Sequence, residues 1–262
     1  MGLLKKSKIG NITNFNFKDL DRFKKVYVLV SGGVDSTYLY EMVKQELNKN
    51  KIYPTNCFNP YEINETIKEI EKDPNFIKIT PKKGYDYGEI LKKAFLKLPA
   101  AAKAKECGKY SKKIFGCCSI IKHKAFLQDP TFKEPGTVVI SGIKYGDGAQ
   151  RRLFLIGIRD CRKTTKGMKV PEKSTFYYEH KGGQQYCYPF RDFKDRELPL
   201  DIINELKIKY PILNHSGCIV CPILVLFQKR MKKNVIGNEN DTKRFLNSIN
   251  YAKKLNVYSE KY

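Results

Sequence analysis

Two groups of residues in this 262-residue chain could do chemistry. The first is contiguous: Ser31-Gly32-Gly33-Val34-Asp35-Ser36. Two glycines let the backbone turn sharply and present successive N–H groups. At the start of a helix such a turn cradles phosphate, because the free N–H groups and the positive end of the helix dipole point the same way. It is not the G-x-x-x-x-G-K-[ST] loop, since the lysine is missing and the turn is too short. The second group is dispersed: Cys117-Cys118, and Cys218-x-x-Cys221 about a hundred residues later. Four thiolates suit a tetrahedral zinc or a [4Fe–4S] cluster, since soft sulfur ligands favour both. Redox dithiols share the C-x-x-C spacing, and buried thiols also serve as small hydrophobes. The pattern alone leaves these readings open.

The elements that must position these groups follow from hydrophobic periodicity. Val26 to Val30 reads as a strand buried on both faces, and Leu39, Met42, Val43 and Leu47 give the segment after the glycines a helical spacing. Ile52–Phe58 reads as a second strand broken at Asn59-Pro60, and Tyr61–Glu71 as a helix. Phe76–Thr80 reads as a third strand, and Glu89–Leu98 as a helix stopped by Pro99. This alternation indicates βαβ units and a doubly wound, mainly parallel α/β sheet. Ligands of such sheets sit beyond the carboxyl ends of the strands, where the glycine turn lies.

Residues 99–116, small and basic, read as a mobile segment, and Ile120–Lys124 as the start of a helix. Thr137–Ile140 is the clearest later strand. It runs into a second glycine-rich turn, Ser141 to Gly148, followed by Arg151-Arg152. A short strand at Tyr186–Phe190 and a helix over Asp195–Tyr210 follow, and basic helices over Ile223–Lys233 and Asp241–Leu255 finish the chain. The simplest division is a lead-in over 1–24, one domain over 25–222 and a basic helical C-terminal extension over 223–262.

Fifty Lys and Arg against 27 Asp and Glu leave a formal charge of +23. That balance suits a lysine-rich solvated surface or a polyanionic partner whose counterions are released on binding. No apolar run approaches the ~18 residues that span a bilayer. With no apolar signal segment at the N-terminus, the expected compartment is the cytoplasm, with no membrane partner. Eight cysteines in that reducing setting argue for metal or redox chemistry over a disulfide framework.

The six residues Ser31 to Ser36 resemble the SGGxDS loop of the N-type ATP pyrophosphatase (adenine nucleotide alpha hydrolase) superfamily. Within it, Cys117-Cys118 with Lys122, and Cys218-x-x-Cys221, are similar to the two halves of a [4Fe–4S] site in the phosphoadenosine phosphosulfate reductase-like family. Ser141-Gly142-Ile143-Lys144 through Arg152, and Tyr188-Pro189-Phe190 to Tyr210-Pro211, extend the likeness over roughly residues 25 to 225. The resemblance implies that Ser31, Gly32, Gly33, Val34 and Ser36 hold the pyrophosphate of ATP and that Asp35 orients Mg²⁺. It also implies that Lys122 and Arg152 stabilise phosphate oxygens and that Gly142 lets backbone approach the nucleotide. Cys117, Cys118, Cys218 and Cys221 would bind the cluster, with zinc as the second choice.

One departure redirects the expected activity. The family's reductases attack sulfur with a cysteine in a C-terminal E-C-G-x-H setting, whereas Pro222 to Tyr262 contains neither Cys nor His. Sulfur transfer needs a soft, polarisable attacker. The expectation is therefore an enzyme that uses ATP to adenylate a nucleic-acid oxygen, on DNA or tRNA, for sulfur insertion. A cysteine desulfurase would suit as the sulfur donor, and a homodimer is compatible with the sequence. The alternatives are a sulfonucleotide reductase with its thiol elsewhere, Cys161 being one candidate, and a non-catalytic nucleotide-regulated nucleic-acid-binding protein.

Overall fold

The computed structural model describes residues 12–62, 65–80, 86–111, 114–147, 151, 155, 176–179, 184–211, 218–229 and 239–262. Six strands form one sheet: β1 (Lys25–Leu29), β2 (Ile52–Cys57), β3 (Ile77–Ile79), β4 (Thr137–Ile140), β5 (Tyr177–Glu179) and β6 (Gln185–Cys187), in the order β3-β2-β1-β4-β6-β5. β1 runs parallel to β2 and β4, and β4 parallel to β6. β5 is an antiparallel edge strand on β6, and its three residues give too short a pattern to read from sequence. The architecture is thus α/β with a mainly parallel, Rossmann-like sheet. The central strands are buried because their sequences are apolar on both faces: Val26, Tyr27 and Val28 of β1 and every residue of β4 are buried.

The chain divides into two compact units. The first combines Met1–Asn56, Asn64–Lys78 and Asp129–Asn214; the second combines Cys57–Ile63, Ile79–Gln128 and His215–Tyr262. The lead-in belongs to the first, where Phe17 and Leu20 of a 3₁₀ turn (Phe17–Arg22) are buried. Helix α1 (Val34–Glu46) also lies there and buries every residue from Ser36 to Val43. Its one buried carboxylate, Glu41, accepts hydrogen bonds from Tyr210 Oη and Lys209 Nζ, each at 2.5 Å. Helix α2 (Glu65–Ile70) begins later than its expected start at Tyr61, and the helix over Leu200–Lys209, α6, lies within the expected 195–210.

The second unit contains α3 (Tyr87–Phe95), α4 (Leu98–Glu106), a π-helical stretch (Ser119–Lys124) leading into α5 (Ala125–Gln128), and then α7 (Pro222–Leu226) and α8 (Glu239–Lys254). Asp86 caps α3 by accepting from the N–H groups of Gly88 and Glu89. The expected mobile segment over 99–116 is corrected by α4. Pro99 sits in that helix's first turn, where its missing N–H costs nothing, and the alanines that follow are strong helix formers. Leu98 and Ala101 of α4 are buried with Phe95, Val225, Leu226 and Phe245 in one apolar cluster. The second unit holds twenty-one of the 50 Lys and Arg residues but only seven of the 27 Asp and Glu. Among the described residues no helix is long and apolar enough to cross a membrane.

Candidate functional site

In the first unit, β1 and β4 are neighbours at which the strand order turns back: β2 and β3 lie to one side, β6 and β5 to the other. Loops that leave the carboxyl ends of two such strands diverge and open a crevice, the usual ligand position in open α/β sheets. The two glycine-rich turns, after Leu29 and after Ile140, leave from that place. Gly32 has φ +77°, a left-handed conformation that a side chain would strain. Gly33 is the N-cap of α1, so the first-turn N–H groups have no intrahelical acceptor. Ser36 closes the turn from within. Its hydroxyl lies 3.1 Å from both the Ser31 N–H, which donates to it, and the Gly33 carbonyl, which accepts from it. Ser31, Gly32, Gly33, Val34, Asp35 and Ser36 are therefore brought together as one turn.

The β4 turn is pressed against the same helix end. A Cβ on Gly142 would stand 3.1 Å from the carbonyl oxygen of Asp35 and 3.4 Å from the Ser36 nitrogen. Glycine here lets the β4 turn approach the backbone of α1 itself. Gly142→Val should push the first turn of α1 aside. Overpacking of this kind costs about 1–3 kcal/mol of stability, which a lowered urea midpoint would show, with Gly142→Ala much milder.

Lys144 is the residue the sequence did not single out. It is fully buried, and its ammonium donates to Asp35 Oδ2 and, at 2.7 Å, to Asp147 Oδ1. The Lys144 backbone N–H also bonds Asp147 Oδ2 at 3.1 Å. Burial pushes the Asp35 carboxyl up, and the charge and hydrogen bond of Lys144 pull it down without cancelling the rise. A lysine between two glycines looks solvated in sequence; only the D-G following it at Asp147 hints at a turn that folds back. Of the other expected cations, Lys122 belongs to the π-helical stretch of the second unit, and Arg152 lies outside the described residues.

In the second unit the four cysteines converge. Cys117, Cys118, Cys218 and Cys221 all line one pocket, whose remaining wall includes Leu91, Ile121, Val220 and Pro222. Cys117-Cys118 stand immediately before the π-helical stretch, an irregularity frequent at functional sites. Cys218 is held by an antiparallel bridge to Glu62 and by its carbonyl, which accepts from Arg244 Nε at 3.0 Å. The backbone N–H of Cys221 bonds Ser248 Oγ at 2.9 Å. The thiols of Cys117 and Cys221 are pushed up: the first by a hydrogen bond with Cys118 and by burial, the second by burial. Such a site resists holding bare thiolates, and a multivalent cation among them would reverse that preference. No three His, Cys, Asp or Glu side chains among the described residues stand in a geometry ready for a single metal ion. Cys161 lies outside the described residues.

Compared with known proteins, the chain matches no family model and no curated protein.

Proposed function

We propose that the chain is a cytoplasmic ATP pyrophosphatase-type sulfurtransferase with an adenine nucleotide alpha hydrolase-like fold, and that it adenylates a nucleic-acid oxygen for sulfur insertion. The observation that carries the nucleotide half is the Ser31–Ser36 turn at the sheet's switch point, heading a helix of 13 residues. The Gly32 to Ser36 N–H groups would hold the β- and γ-phosphates. A nucleic-acid oxygen attacks the α-phosphorus, the bond to the leaving pyrophosphate breaks, and the charge that develops on it is met by donors already in place. Mg²⁺ bound with the nucleotide would compete with Lys144 for Asp35, and the lysine ammonium would then be free to neutralise phosphate.

The sulfur half rests on the convergence of four cysteines on one pocket. Two adjacent cysteines rarely ligate a single zinc ion, because both side chains must converge from neighbouring positions, so the Cys117-Cys118 pair favours a [4Fe–4S] cluster over zinc. Such a group, when bound, would supply the sulfur-handling chemistry, and this chain's part is to hold it in an apolar wall. The basic excess of the second unit suits a polyanionic substrate.

The test is nucleic-acid-dependent pyrophosphate release by the anaerobically purified chain, with DNA and tRNA offered separately. Asp35→Ala should lower the rate by about 10²–10³-fold, as for loss of a group acting on developing charge. Undiminished release would remove the metal role from Asp35. Salt-sensitive nucleic-acid binding with no pyrophosphate release would overturn the enzyme reading in favour of a binding protein.

A further inference from the structure

We infer that Asn59 is a positioning residue for the cysteine pocket, whose side-chain amide donates to Cys218 sulfur and so raises the reduction potential of the cluster bound there. The inference rests on the reading of the four cysteines as cluster ligands. Asn59 precedes a proline and in sequence serves only to end a strand. In the structure it is 2% exposed and its Nδ2 stands 3.1 Å from Cys218 Sγ.

The direction of that contact is fixed by its surroundings. Asn59 Oδ1 accepts the backbone N–H of Tyr61 at 3.1 Å, an Asx turn that takes up the acceptor end of the amide. The end facing sulfur must then be the NH₂ group. Both partners are held. The Tyr61 carbonyl accepts from the Ile219 N–H at 2.5 Å, and Glu62 bridges Cys218. The loop carrying Asn59 and the loop carrying the C-x-x-C are thus stitched together at the point where the amide meets the sulfur.

An N–H dipole aimed at a ligand sulfur stabilises the more negative state of a cluster. Potentials of iron–sulfur centres are set in part by such hydrogen bonds. Burial strengthens the effect, because little water competes for the sulfur.

Two variants separate tuning from scaffolding. Asn59→Ser keeps a hydroxyl that can accept the Tyr61 N–H in the equivalent turn, but it loses the arm that reaches sulfur. Asn59→Leu removes both contacts. After anaerobic reconstitution with iron and sulfide, iron content and midpoint potential are measured for wild type and both variants. The expected result is a lower potential in Asn59→Ser at unchanged iron content, with Asn59→Leu at least as low. Equal potentials in wild type and Asn59→Ser would overturn the inference while leaving the cluster in place. A wild-type chain that takes up no cluster would overturn the cluster reading and this inference with it.

Discussion

Replacing Asp35 and Asp147 together by asparagine is expected to destabilise the first unit more than replacing Lys144 by methionine. The lysine side chain is 2% exposed, whereas the carboxylates keep 32% and 25%. Removing both acids strands an ammonium in the interior, which costs about 3–5 kcal/mol. In a domain of this size that is a fall in Tm on the order of 10 °C. Removing the lysine leaves two carboxylates that still reach water, so the loss is smaller. Adding Lys144→Met to the double variant should recover much of the stability, because the stranded charge is gone. Urea denaturation of all four proteins checks this order, and a double variant more stable than Lys144→Met would contradict it. The pH dependence carries the same signature. Burial pulls Lys144 down, but the charges and hydrogen bonds of Asp35 and Asp147 raise it above its ordinary 10.5. A raised folded-state value contributes stability fully below the unfolded pKa and loses it as pH climbs through the folded one. The stability gap between wild type and Lys144→Met should therefore hold from neutral pH up to 10.5, where both carboxylates stay ionised, and close above it.

Cys218→Ser with Cys221→Ser is expected to abolish metal loading altogether. Wild type, reconstituted anaerobically, should take up about four irons per chain with sulfide and show the broad visible absorption of a cluster. The double variant should take up none. Cys117→Ser alone should lose nearly as much, because four ligands to one group act as a unit. The loaded wild type should also unfold later than the metal-free chain, since ligand binding to the folded state alone is folding free energy. One zinc per chain in place of iron would overturn the cluster and leave a tetrahedral thiolate site.

The β1 and β4 strands and the turns after them were legible in sequence because burial on both faces writes itself as an unbroken apolar run. The Thr137–Ile140 strand was placed with its observed bounds. Helix α1 was legible for a different reason: its buried face is almost its whole circumference, so any apolar spacing along it would have served. Pro99 misled because proline stops a helix only when its missing N–H was needed. In the first turn of α4 it was not. Tyr61 and Glu62 looked helical by spacing, but they are engaged by Cys218 and Ile219, from a segment far along the chain. The cysteines could be named as a set, yet their meeting at one pocket is tertiary. Lys144 and Asn59 were invisible as site residues for the same reason. A lysine in a glycine-rich turn and an asparagine before proline are common on surfaces, and only packing makes them buried partners of Asp35 and Cys218.

The segments of the second unit interleave with those of the first, and this sets an order of biogenesis. The last stretch of the first unit ends at Asn214, while the second needs His215–Tyr262. On a ribosome the glycine turn and its sheet can be complete before the second unit can close. Cys117 and Cys118 emerge first and wait for Cys218 and Cys221. At about 5–20 residues per second the intervening hundred residues take roughly 5–20 s. For that interval the early pair has no late pair to share a ligand with. The pocket therefore closes late, only after residues of the 215–262 stretch have been made.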